Sequence, residues 1–257
     1  MAEHPNVLLN LSNRSENVML VREMLTGVGE TGDLDSSDLY DIRTAVTEAC
    51  NNVVLHAYEG AEGPLQVELL ASRDTIEVTV RDEGVGIRPR IRPADEAALG
   101  IGLPLIQALV HSVEFSERGG GGTAVRMEFR ALSRRPLEPS GENDYPAEQL
   151  AGAVANLATT TAMTIAPASL AQAVLPRVLS VLAARAHFST DRISDAQIVA
   201  DALAAHALSS LGANRLNLIV DSAMDGLGGV IEKLTDDRRT VALGSAEMLA
   251  LQLRDRA

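Results

Sequence analysis

The sequence predicts an α+β chain built from two similar halves, and three features predict it. There are short runs with apolar residues at every second position, longer runs with apolar residues at helical spacing, and a return of the same order of runs after a polar, proline-bearing stretch. With 257 residues, 46% of them hydrophobic, the chain can bury one large core or two ordinary ones. Only 2% are aromatic and none is Trp, so the core must be aliphatic, and the stacking platforms of single-strand nucleic-acid binders are scarce. A net charge of −13 repels a phosphate backbone and argues against nucleic acid as a partner. Cys50 is the sole cysteine, which excludes a disulfide framework and suits a reduced compartment. No basic segment and apolar stretch open the chain, and no run is long and uncharged enough to span a bilayer, so a cytoplasmic protein without membrane attachment is expected.

Val7, Leu9 and Leu11 set the first strand. Ser15 can cap a helix carrying Val18, Val21, Met24, Leu25 and Val28, which Gly27, Gly29 and Gly32 are expected to end. Asp35 to Ser37 supplies caps for the next helix, Leu39 to Tyr58, where Leu39, Ile42, Val46, Ala49 and Val53 recur on one face. Tyr58 to Gly63 breaks to a hairpin whose strands hold Leu65, Val67 and Leu69, then Ile76, Val78 and Val80. A loop with Arg88, Arg90 and Arg92 follows, and from Leu99 an apolar helix is expected to run to Val113. Gly119 to Gly122 reads as a hairpin turn into a last strand with Val125, Met127 and Phe129. Residues 133–149 have no periodicity and form a linker between domains at 1–132 and 150–257.

Three segments of the first half carry chemistry. Glu48 and Asn52 stand one turn apart and project together beside the apolar face of their helix; alone, the pair reads equally as solvated surface. Asp82 ends a strand and is followed by Gly84 and Gly86, an arrangement that lets backbone approach a flat ligand while a carboxylate accepts from its edge; alone, it reads as a glycine turn with an Asp cap. Gly100 and Gly102 open a helix, where bare N–H groups suit a phosphate or merely a tight turn. The five histidines are dispersed without metal-ligand spacing, so no zinc site is indicated.

In this order the three segments resemble the nucleotide-binding boxes of the gyrase and histidine-kinase ATPase superfamily. VTEACNNVVLHAYE, RDEGVGI and GIGLPLI together resemble, more narrowly, the bacterial anti-sigma-factor serine/threonine kinases, over residues from about 6 to 131. That resemblance implies a two-layer α/β sandwich, with a mixed, mostly antiparallel sheet covered on one face by helices. It implies ATP and Mg²⁺ as cofactors, Glu48 as catalytic base, Asn52 as Mg²⁺ ligand and Asp82 as reader of the adenine amino group. Cofactor contacts then fall to Asn51, Asn52, Asp82, Gly84, Gly86, Ile87, Arg88, Gly100, Ile101, Gly102, Leu103 and Thr123. The arginine loop corresponds to the family's lid, although any single arginine reads equally as a solvated charge, and so does Asn51 as a solvated amide. The implied partners are an anti-anti-sigma protein of the STAS type, as phosphoacceptor, and a sigma factor. Two alternatives stand beside this: a histidine-kinase-type ATPase module, and an ATP-binding regulatory module without kinase activity.

The second half repeats the first in worn form. Met163 to Ala166 matches the first strand, Val174, Val178, Val181 and Leu182 the first helix, and Ile193 to Leu208 the central helix. In that register Ala205 replaces Glu48 and Ser209 replaces Asn52. Leu216 to Val220 is expected to match the strand ending at Asp82, with Gly226-Leu227-Gly228 opening a helix at Ile231 to Leu234. The expectation is a degenerate copy without a nucleotide site, and, since the resembled kinases commonly work as homodimers, either an intramolecular pseudo-dimer or a homodimer.

Overall fold

Six consecutive buried residues, Val7–Ser12, form the strand on which the two halves meet. This strand, β1, pairs antiparallel with β2 (Pro64–Ala71) on one side and with β6 (Thr160–Ile165) on the other. The computed structural model describes residues 4–86, 102–117, 121–130, 137, 160–211, 215–223, 226–234, 240–242 and 253–254. Outward from β2 lie β3 (Thr75–Asp82), β5 (Thr123–Arg130) and β4 (Ser112–Glu117); outward from β6 lie β7 (Leu216–Ala223), β8 (Gly226–Leu234) and β10 (Leu253–Arg254), with β9 (Thr240–Ala242) also on β8. The result is one ten-stranded sheet. Every described pairing is antiparallel, so the parallel component expected of a mixed sheet does not occur among the described residues.

Val7, Leu9 and Leu11 face the same side as their partners Leu69, Val67 and Leu65, because directly paired residues share a face. On that side lie α1 (Ser15–Thr31) and α2 (Ser36–Asn52) in the first half, and α4 (Ala171–Arg185) and α5 (Thr190–Leu211) in the second; α3 (Gly102–Leu109) packs on α2. Leu20, Val21, Met24, Leu25 and Val28 of α1 and Ile42, Ala45, Val46, Ala49 and Cys50 of α2 are all buried against the strands. Each fully buried Leu or Val among them contributes about 1.5–3 kcal/mol, which is what holds these helices on the sheet. No described helix is long and apolar enough to cross a membrane.

Several elements depart from expectation. Gly27 and Gly29 do not end α1, which runs to Thr31; both are buried in it. A Cβ on Gly27 would lie 2.6 Å from the Ala173 carbonyl oxygen, and one on Gly29 would lie 2.8 Å from Leu39 Cδ1, so these glycines serve close helix packing rather than termination. Arg14, not Ser15, occupies the cap position of α1. The expected helix to Val113 stops at Leu109, and Ser112–Glu117 is a strand, its Val113 and Phe115 paired with Met127 and Val125. In the second half Gly226–Leu234 is a strand and not a glycine turn into a helix; β7 and β8 form a hairpin, so Leu216–Ala223 stands where β2 stands and not where β3 does.

Candidate functional site

The central helix ends by widening. Residues Ser36–Asn52 are α-helical, and Val53–Ala57 continue them as a π turn, a form that often marks functional sites. That turn brings the Ala57 carbonyl against the segment after β3. Val85 N–H donates to Ala57 O at 2.9 Å, and a Cβ on Gly84 would fall 2.0 Å from the same oxygen, so only glycine fits there. Tyr58, the next residue, accepts from Glu83 N–H at 2.8 Å through its hydroxyl and donates to the Pro64 carbonyl. The Asp-x-Gly-x-Gly segment is therefore fastened to the end of the helix that carries Glu48 and Asn52.

Asp82 is 5% exposed, and its Oδ1 accepts from Gly84 N–H at 2.8 Å and from Thr123 N–H at 3.2 Å. Two backbone donors, one from the glycine segment and one from the start of β5, thus hold the same carboxylate oxygen. Gly121 and Gly122, at φ +109° and +90°, lie where the expected hairpin leads into β5, and they pack on this segment, where a Cβ on Gly122 would come 2.3 Å from Asp82 O. Gly86 takes φ +74° and faces Gly122.

The second glycine segment meets the helix directly. A Cβ on Gly102, at the start of α3, would lie 3.1 Å from Glu48 Oε1 and 3.6 Å from Asn52 Oδ1. The first backbone amides of α3, with the positive end of its dipole, thus sit beside an acid and an amide oxygen on α2. Asn52 offers a hard oxygen suited to Mg²⁺, and no group of three or more His, Cys, Asp or Glu among the described residues forms a ready-made metal cage. A divalent ion here would draw its other ligands from phosphate and water, as Mg²⁺ commonly does. The Gly84 contact is filled by the Ala57 carbonyl and seats the segment on the helix, while the donor set at Gly102, bare amides beside an acid and an amide oxygen, is of a kind that fits a phosphate with its metal ion.

Burial pushes the Tyr58 hydroxyl up to about 12, with Asp82 and Glu83 adding to the rise and the Glu83 amide opposing it, so it stays protonated and can donate to Pro64. Burial pushes the Cys50 thiol up to about 12 as well, which makes it an inert core residue.

Of the expected site residues, Glu48, Asn52 and Gly102 meet at one point, and Asp82, Gly84, Gly86 and Thr123 at a second, both anchored on α2 and its π turn. Asn51 is half-buried on the same helix and Leu103 is 51% exposed on α3. Ile87, Arg88, Gly100 and Ile101, and the lid arginines Arg90 and Arg92, lie outside the described residues. Tyr58, the Ala57 carbonyl and Gly121–Gly122 are absent from the expected set; the glycine run was visible in sequence but reads as a plain hairpin turn.

The family described as histidine kinase-like ATPase domain matches residues 11–129. An anti-sigma F factor of a Thermoanaerobacter species is 30% identical over 134 residues, covering 49% of this chain and 94% of the relative. A serine-protein kinase RsbW of Listeria monocytogenes is 33% identical over 124 residues, covering 43% and 79%. A crystal structure of RsbU and RsbW domains from Mycobacterium tuberculosis aligns with a TM-score of 0.38 and 23% identity, covering 51% of this chain and 35% of that one.

Proposed function

We propose, from the premise that this chain belongs to the anti-sigma-factor kinases of the histidine kinase-like ATPase family, that residues 1–132 phosphorylate a serine or threonine of an anti-anti-sigma protein of the STAS type and sequester a sigma factor. One observation carries the reading: two separate glycine segments are seated on one helix and its π turn, one on Ala57 and the other on Glu48 and Asn52. Phosphoryl transfer is mostly positioning and charge stabilisation, and such a helix positions base, metal ligand and phosphate cradle together. Bound ATP with Mg²⁺ supplies the phosphoryl group. Glu48 orients and deprotonates the acceptor hydroxyl. Asn52 holds the metal through its side-chain oxygen, and Asp82, held by the Gly84 and Thr123 amides, accepts from the adenine edge. Thr123 fixes that carboxylate, while Gly102 leaves amides bare for phosphate. The contacts of Asn51, Ile87, Arg88, Gly100, Ile101 and Leu103 belong to the same reading, as does a cytoplasmic setting.

The same reading takes 133–149 as a linker and 150–257 as a degenerate copy without a nucleotide site. Strand, two helices and a strand hairpin follow in the order β6, α4, α5, β7, β8, as they do in β1, α1, α2, β2, β3. Ala205 and Ser209 stand where Glu48 and Asn52 would.

The test is incubation of the full chain with radiolabelled ATP, Mg²⁺ and candidate anti-anti-sigma proteins, followed by acid and base treatment of the product. Acid-stable label on serine or threonine is the expected result. Acid-labile label on histidine would move the chain to the histidine-kinase reading, and tight nucleotide binding without transfer to a regulatory module.

A further inference from the structure

The contact between the halves has an internal twofold, and its axis can be located. Leu9 pairs with Met163 across the β1–β6 ladder. Glu23 and Arg177, 154 residues apart like Leu9 and Met163, face each other where α1 crosses α4. At that same separation the buried stripe of α1 (Leu20, Val21, Met24, Leu25, Val28) falls on that of α4 (Val174, Leu175, Val178, Leu179, Leu182), residue for residue. Only residues on a twofold meet their own counterparts, so the axis runs through Leu9/Met163 in the sheet and Glu23/Arg177 in the helices.

We infer that, on the β1–α1 face that the second half covers, Arg177 is the key that admits this half and excludes a second copy of the first. Arg177 donates to both carboxylate oxygens of Glu30, at 2.6 and 2.7 Å, and reaches Glu23 Oε2 at 3.5 Å. A second copy of the first half would put another Glu23 at the position of Arg177. Glu23 and Glu30 of each copy would then cluster about the axis with no cation among them, a repulsive element of the kind that sets specificity. Arg185 of α4 also donates to Asn17 of α1; its counterpart in the first half is Thr31, which carries no such fork.

This inference uses the degenerate-copy reading for its comparison with a second copy, and it is independent of phosphoryl transfer, so its test needs no activity. Light scattering on the full chain across a wide concentration range is expected to give a monomer. Arg177→Glu is expected to lower the melting temperature by roughly 2–4 °C or more, and Glu30→Arg combined with Arg177→Glu to recover it, because the swap restores the pair with its signs reversed. A full-length homodimer would overturn the inference. So would an Arg177→Glu chain that melts like the wild type, or a swapped pair no more stable than Arg177→Glu alone. Failure of the labelled-ATP experiment would leave these results unaffected, and failure here would leave the kinase reading of residues 1–132 in place.

Discussion

The ends of α2 and α5 differ in one respect that separates the two halves. In the first half 17 residues of α-helix pass into five of π turn, and in the second a single α-helix runs for 22 residues. The apolar stripes persist in both, since either helix must cover a sheet. Among the described residues α5 shows no such widening, whereas in the first half the Ala57 carbonyl and Tyr58 hydroxyl at the widened turn hold a glycine segment just after Glu48 and Asn52. The comparison teaches that burial alone maintains the layer, while the polar atoms at the end of α2 are placed by the widened turn that follows it.

Four experiments would break or sharpen that contrast, from the largest expected effect down. Glu48→Ala should retain nucleotide binding and lose phosphoryl transfer by about 10²–10⁴-fold, the usual worth of a positioned base. Single-turnover kinetics check it; a variant with normal rates would mean the acid is not what separates the halves. Asp82→Asn should weaken ATP binding about 10–100-fold by calorimetry, as loss of a charged acceptor does, with unchanged melting of the apoprotein, because an amide oxygen can still accept from Gly84 and Thr123. Tyr58→Phe removes the acceptor of the Glu83 amide and should cost about 2–10-fold in ATP affinity while sparing transfer at saturation.

The smallest effect is a pH dependence. Cys50 is buried with its thiol pushed up to about 12, whereas an unfolded thiol titrates near about 8.5. Between those values the unfolded chain has lost a proton that the native chain keeps, so stability should fall as pH rises through that window. Urea unfolding at about pH 8 and pH 10 should show the loss for the wild type and a shallower one for Cys50→Ala; parallel curves would show the thiol ionises as easily folded as unfolded.

The legible part of this molecule was the part written in residue chemistry. Glu48, Asn52, Asp82 and Gly102 announce themselves because acid, amide and glycine at those spacings have few purely structural reasons to recur in order. The helices α1, α2, α4 and α5 were legible through their apolar stripes. Gly27 and Gly29 were misread as helix stops because a glycine that admits a neighbouring backbone looks, in sequence, like one that ends a helix. Gly226–Leu234 was misread because a glycine-rich strand and a glycine turn share composition, and only pairing with β7 decides between them. The strand Ser112–Glu117 was lost to a short alternation that directly follows an apolar helix. Tyr58 could not have been found, since its role depends on two partners brought to it by the fold.

The pairing of β1 on both sides has a consequence for how the molecule opens. Its backbone amides lie in the middle of the ladder, far from the outer strands β4 and β10, and it cannot leave the sheet without breaking pairs in both halves. Amide hydrogen exchange should accordingly be slowest along Val7–Asn10 and Ala162–Ile165, at the junction, and fastest at the outer strands. The first half's own strand β1 would then owe part of its protection to pairing with β6, so that damage confined to residues 160–165 loosens the first half from behind.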